Sequence, residues 1–354
     1  MRAKRGNPHS RLPRFARNDG ICFMNKFKKT LIIALFSLFF VFEIAVIIFN
    51  IFTRAPAHKS LKNSEQAFVI PYTNKGYIAQ GITYDKDTDN FFLTGYMKDG
   101  SASPIFAVNK TRKRLVAAVR MTNQDGTPFT GHAGGLSLMN GKIYVAGSND
   151  GCFYVFDKAQ ILSAKKDAPV AYTGILDLKK DNDKIKIAYC TTDKGLIYAG
   201  EFYRDPQYIL SESHKVQTQD GLQYALLVGF EINADGLTTT AKIAYSTPIE
   251  IQGMCFDGNY AYLTTSWGLG KSYVYKYDLN KIAQSGTKQV CGETVPLYNL
   301  TMKNMEACYT LPPMAEEIEC VDGSFYITNE SASNKYVFGK FTGGKWCRSY
   351  KFGE

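Results

Sequence analysis

The chain has 354 residues, 45% of them hydrophobic and 14% aromatic, and 42 Lys and Arg against 32 Asp and Glu give a formal charge of +10. Ten basic and two acidic residues fall within the first 56 positions, so the remaining 298 residues hold only +2 of that charge. The folded part therefore lacks the basic excess that nucleic-acid binding needs, and the high isoelectric point reports topology instead.

Residues 1–30 read as a basic cytoplasmic tail. The first 23 have neither periodicity nor a core, and Met24-Asn25-Lys26-Phe27-Lys28-Lys29 would itself make a basic lead, so Met24 is an alternative start. Residues 31–52 form an apolar run interrupted only by Ser37, Glu43 and Asn50, long enough to span about 30 Å of hydrocarbon as a helix. The expectation is a single-pass transmembrane signal anchor, with Glu43 protonated or satisfied by a partner. The cations before it hold the N-terminus in the cytoplasm and place the C-terminal domain outside. Ala55-Pro56-Ala57 supplies the small residues of a cleavage site, which keeps a removed signal peptide open. Residues 53–65 are polar and suit a juxtamembrane stalk.

In residues 66–354 one pattern recurs five times: a short apolar run, a turn, and a second run centred on an aromatic. The copies are Gln80-Gly81-Ile82-Thr83 with Phe91-Phe92-Leu93, Gly134-Gly135-Leu136-Ser137 with Ile143-Tyr144-Val145, and Ile187-Ala188-Tyr189-Cys190 with Ile197-Tyr198-Ala199. Two more follow, Gln252-Gly253-Met254-Cys255 with Ala261-Tyr262-Leu263, and Glu317-Ile318-Glu319-Cys320 with Phe325-Tyr326-Ile327. The central aromatics are 52, 54, 64 and 64 residues apart, the length of a supersecondary unit. Turns such as Asn140-Gly141 and Asp322-Gly323 suit tight hairpins. Further strand-like runs follow in each unit, and four antiparallel strands per repeat make a propeller blade. The expected fold is all-β, a five-bladed β-propeller with six blades as the fallback, preceded by one transmembrane helix. The runs 66–72 and 346–352 are the candidates for completing the last blade, since an open ring would leave strand edges unpaired.

Residues entering the first strand of each blade converge on the central channel, and those leaving the second strand return to the same face. These positions hold His132, Gln80, Gln252, and Glu316 or Glu317, then Asn149 and Asp150, Glu201 and Tyr203, Trp267, and Asn329 and Glu330. Polar and aromatic residues replace the apolar pattern there, which points to a funnel that binds a small polar ligand. Glu317 and His132 are the acid and base candidates, although no nucleophile motif accompanies them. No cofactor is evident; calcium is compatible with the oxygens of Glu317, Asn149, Glu201 and Asn329, and the metal site is otherwise unknown. The same side chains could instead satisfy backbone groups between blades. Seven cysteines fall after the anchor, an odd number; Cys190, Cys255 and Cys320 read as buried hydrophobes, and Cys291 with Cys308 as the disulfide candidate.

The segments Gln80-Gly81-Ile82-Thr83-Tyr84-Asp85 and Gln252-Gly253-Met254-Cys255-Phe256-Asp257 resemble the strand entries of the propeller glutaminyl cyclotransferases, which are five-bladed. With Gly131-His132-Ala133-Gly134-Gly135-Leu136 they are also similar to secreted bacterial propellers of no settled activity. The cyclotransferases' acidic-Gly-Trp-Gly-Leu-Thr stretch is replaced here by Gly131-His132-Ala133-Gly134-Gly135, and the acidic and amide set of calcium lactonase propellers is not matched. The resemblance therefore implies a fold and carries over no catalytic residue. The expectation is a membrane-anchored, extracytoplasmic bacterial propeller binding a small polar molecule or an envelope protein. The alternatives are a calcium-assisted hydrolase or cyclotransferase-like enzyme, and a structural interaction scaffold.

Overall fold

The computed structural model describes residues 19–180, 182–234, 236–336 and 339–352. The basic-tail reading of residues 1–18 lies outside the described residues, as do the side chains of the Ala55-Pro56-Ala57 cleavage motif. The chain divides into two units, Met1–Phe52 and Thr53–Glu354. Helix α1, Asp19–Lys62, contains the stretch Asn25–Phe49, which is long and apolar enough to cross a membrane. Its Ile33, Leu38 and Val41 side chains are exposed, an arrangement that suits lipid and not water. The segment read as a stalk is helical as far as Lys62.

Five sheets follow, each with four antiparallel strands running from the channel outward. Blade one comprises Tyr77–Asp85, Asn90–Met97, Pro104–Asn109 and Arg114–Thr122; blade two Leu136–Met139, Lys142–Gly147, Cys152–Asp157 and Gly174–Asp177. Blade three comprises Ile187–Asp193, Leu196–Glu201, Ala225–Ile232 and Thr239–Thr247; blade four Ile251–Asp257, Tyr260–Thr265, Ser272–Asp278 and Ala307–Leu311. Blade five is built from both ends of the domain: Ala315–Val321, Ser324–Asn329, Trp346–Tyr350 and, outermost, Ser64–Val69. The inner strands lie side by side in a ring that closes from blade five to blade one. The protein is a five-bladed β-propeller.

Closure is covalently economical. Ser64 pairs with Tyr350 and Val69 with Trp346, so the two runs expected to finish the last blade lie next to each other in it. The inner hairpins turn where Asn, Asp and Gly allow positive φ: Asn140 and Gly141 at 52° and 74°, Asp322 and Gly323 at 51° and 71°. The uneven repeat length has a structural cause. Blade four carries an extra hairpin, Gln284–Val290 with Glu293–Asn299, which pairs in parallel with the outer strand of blade three. Likewise Ala168–Ala171, following helix α2 (Lys158–Ser163), pairs in parallel with the outer strand of blade one.

The core is divided among the seams between blades, and the repeated aromatics fill them. Tyr198 lies 4.8 Å from Phe256 of blade four, Tyr262 4.2 Å from Phe325 of blade five, and Tyr326 4.5 Å from Phe91 of blade one, between ring centroids. All but the half-buried Phe256 are buried, and each buried ring contributes on the order of 1.5–3 kcal/mol by leaving water. The expected Cys291–Cys308 disulfide is absent. Cys291 turns the hairpin clipped to blade three and is buried, whereas Cys308 is exposed in the outer strand of blade four; both are free thiols.

Candidate functional site

The site exists because the inner strands are interrupted at one repeated place. In a regular strand successive side chains alternate between faces, and a bulge re-aims them. The pairing register slips between Ala79 and Gly81, Ile187 and Tyr189, Ile251 and Gly253, and Ala315 and Ile318. The skipped residues Gln80, Ala188, Gln252 and Glu316 line a cavity of about 690 Å³ at the mouth of the ring. In blade five two residues are skipped and their roles separate. Glu316 borders the cavity, and Glu317 fills the channel.

Glu317 is fully buried and accepts backbone N–H groups from three other blades at equivalent positions: Ile82 at 2.8 Å, Leu136 at 3.3 Å and Cys190 at 2.9 Å. Burial pushes its pKa well up, opposed by these three amide bonds. Glycines of blades two and four leave it room. A Cβ on Gly135 would lie 2.9 Å from a Glu317 carboxylate oxygen, and one on Gly253 would lie 2.4 Å from the Glu317 Cα.

Glu316 is only 2% exposed, and no protein hydrogen bond to its carboxyl is present among the described residues. Burial and the neighbouring carboxylates of Glu330 and Glu317 push its pKa well above the usual range. Glu330 is raised as well by burial, but less freely, because the Tyr336 hydroxyl donates to it at 2.9 Å, Gln80 Nε2 donates at 3.4 Å, and the Lys335 ammonium is near. The floor of the cavity thus holds two carboxyl groups in unequal surroundings. One wall is aromatic: Phe202 and Trp267 lie 6.1 Å apart, and Tyr208 stands edge-on to Trp267 at 5.8 Å. The Arg204 guanidinium covers Trp267 at 4.4 Å and pairs with Glu250. Across the mouth His132 stacks on Tyr96 at 4.6 Å. Desolvation by neighbouring groups and then the Lys335 charge hold the His132 pKa below its usual value, although the residue is exposed.

Of the residues expected here, Gln80, His132, Asn149, Gln252, Trp267 and Glu330 meet at the cavity. Glu317, Asp150, Glu201, Tyr203 and Asn329 are not on its wall. Asp150 accepts the Tyr154 hydroxyl at 3.0 Å, Tyr203 stacks on Tyr224 at 4.2 Å, and Glu201 is buried against His214. Asn329 is 2% exposed beside the inner strand. Sequence reasoning missed Lys335, Tyr336, Tyr208 and Lys186, which come from the long excursions after the second strands of blades five and three and from the link entering blade three. The length of those excursions was the available signal. Of the four residues offered for calcium, Glu317 faces amide donors and Glu201 faces an imidazole. Among the described residues no group of three or more metal-ligating side chains comes together.

No family model matches this sequence, and no curated protein matches it. Solved structures with a similar course of chain include glutaminyl cyclase from Myxococcus xanthus, at 11% identity and TM-score 0.42, covering 81% of this chain and 94% of that one. A luciferin-regenerating enzyme aligns at 11% identity and TM-score 0.41, over 78% and 92% of the two chains. BamB from Moraxella catarrhalis aligns at 8% identity and TM-score 0.33, over 78% and 84%. Likeness at this level says nothing about the site, and the blade count rests on the strand pairing itself.

Proposed function

We propose that this is a membrane-tethered binding propeller whose funnel takes a small polar ligand with a cationic head and a flat or apolar body. The observation that carries the reading is Glu316: among the described residues its carboxyl has no protein hydrogen-bond partner, and it borders the cavity, so it is free to pair with a ligand there. An ammonium group seated between Glu316 and Glu330 would meet that need. The Trp267, Tyr208 and Phe202 wall supports the body of the ligand and adds cation–π attraction. The charge excess before the apolar run 31–52 supports a cytoplasmic N-terminus and an extracytoplasmic funnel.

The test is thermal unfolding of the full chain in detergent with ethanolamine, cadaverine, tyramine and L-lysine, against acetate and glycerol as controls. A ligand held by the folded state alone stabilises it by about 2.7 kcal/mol at a hundredfold excess over Kd. At least one amine should raise the melting temperature of the wild type and fail to do so in Glu316→Gln. Equal shifts in that variant, or no shift with any amine, would sink the reading.

A second reading draws on the unequal environments of Glu316 and Glu330, which suit one carboxyl to hold a proton while the other accepts one. Were the funnel an enzyme of the hydrolase or cyclotransferase kind, Glu330→Gln would abolish turnover of a bound amine while leaving its binding measurable. A binder shows no turnover in either protein.

A further inference from the structure

His214 is fully buried on a one-turn 3-10 segment, Glu212–His214, and neither ring nitrogen faces a neutral group. Its Nδ1 lies 2.9 and 3.0 Å from the two oxygens of Glu201, and its Nε2 lies 2.9 Å from Asp183 Oδ1. A carboxylate only accepts, so both nitrogens satisfy their partners at once only as N–H donors. The geometry is that of an imidazolium between two carboxylates.

The carboxylates are themselves tied to other elements. Glu201 closes the second strand of blade three and also accepts the Lys186 and Leu226 N–H groups at 3.2 Å. Asp183 lies in the link to blade three and accepts the Cys291 N–H at 2.8 Å from the turn of the extra hairpin. The same hairpin brings the Lys288 ammonium near both carboxylates, where it donates to the Lys215 carbonyl at 3.0 Å. Lys215 pairs outward with Glu212, and burial keeps the Cys291 thiol protonated, its pKa pushed up to about 12. The chain between Glu201 and His214 supplies Phe202, Tyr208 and Ile209 to the funnel wall, and Lys186 Nζ holds the Ile209 carbonyl at 2.9 Å.

We infer that His214 is a positioning residue for that wall, a pin between Glu201 and Asp183 that holds the 202–214 excursion against the funnel while the imidazole carries both protons and frees it when one is lost. The pin concerns the same cavity as the ligand reading, but its action needs no ligand. Burial opposes the charge on His214, yet the hydrogen bond and charge of Glu201, followed by those of Asp183, leave its pKa above 6.5. The folded value is raised, so the contribution is fully present below the unfolded value near 6.5. It is lost as pH rises through the folded value.

The chain has two tryptophans, Trp267 in the wall and Trp346, so Trp346→Phe leaves a single reporter that touches Phe202 and Tyr208. Acrylamide quenching of Trp267 in the full chain should rise about twofold in one step between about pH 6.5 and 9, with far-UV circular dichroism unchanged. The step should vanish in His214→Gln. In Asp183→Asn, which keeps an acceptor for Nε2 and serves if the first variant does not fold, its midpoint should move down by at least about half a pH unit. It should persist in Lys288→Gln. A flat titration of the folded parent, a midpoint unmoved by Asp183→Asn, or a step abolished by Lys288→Gln would overturn the pin. Failure of every amine to bind leaves this measurement unaffected, so the two readings fail separately.

Discussion

Glu316 and Glu317 are adjacent, chemically identical and opposite in role. Glu317 gathers the amides of Ile82, Leu136 and Cys190 and locks three inner strands to a fourth. Its replacement by Gln turns one acceptor oxygen into a donor facing an N–H. We expect Glu317→Gln to destabilise the propeller by about 1–3 kcal/mol, measured as a fall in melting temperature of the full chain, with no requirement for any ligand. An unchanged melting temperature would remove the channel lock. Glu316→Gln, by contrast, removes a raised-pKa carboxyl that no described residue hydrogen-bonds and should leave the fold at least as stable as the wild type. A propeller in which Glu316→Gln unfolds and Glu317→Gln does not would reverse both assignments.

The element that matters is the bulged inner strand, and it separates neighbouring residues by function. Gln252 is skipped by the pairing and borders the cavity, whereas Gly253 sits where the next blade crosses. Gln252→Ala should change stability by less than about 0.5 kcal/mol while weakening amine binding. Gly253→Ala should cost about 1–3 kcal/mol through overpacking against the Glu317 backbone. Parallel melting and binding measurements on the two variants would expose a purely structural strand if both lost stability alike. The recurring hairpins were legible in the sequence because apolar runs, Asn-Gly and Asp-Gly turns and a central aromatic are local signals. The bulges were not, because a slip of one residue is defined by the partner strand, and this is why Glu317 stood in for Glu316 and why Glu201 stood as a ligand group.

Across the whole molecule, stability depends on a ring that one chain closes with its own beginning. Phe68 of the outermost strand of blade five is 1% exposed and packs on Phe91 at 5.3 Å between ring centroids. Phe68→Asp places a charge in that seam and should cost more than about 3 kcal/mol, seen as early protease cutting near both ends of the domain. Resistance equal to wild type would mean that the strand contributes little to closure. The repeat length, the aromatic in each second strand and the two terminal β runs determined five blades and their closure, because each is a periodic feature that neighbouring residues carry. The charge asymmetry and the apolar run marked a helix able to cross a membrane for the same reason. Only the tertiary structure decided which polar residues share a cavity, that Glu316 borders it without a protein hydrogen bond to its carboxyl among the described residues, and that His214 lies between Glu201 and Asp183. Those relations join residues far apart in the chain, and they follow from strand register, blade insertions and burial, none of which is a property of a local stretch.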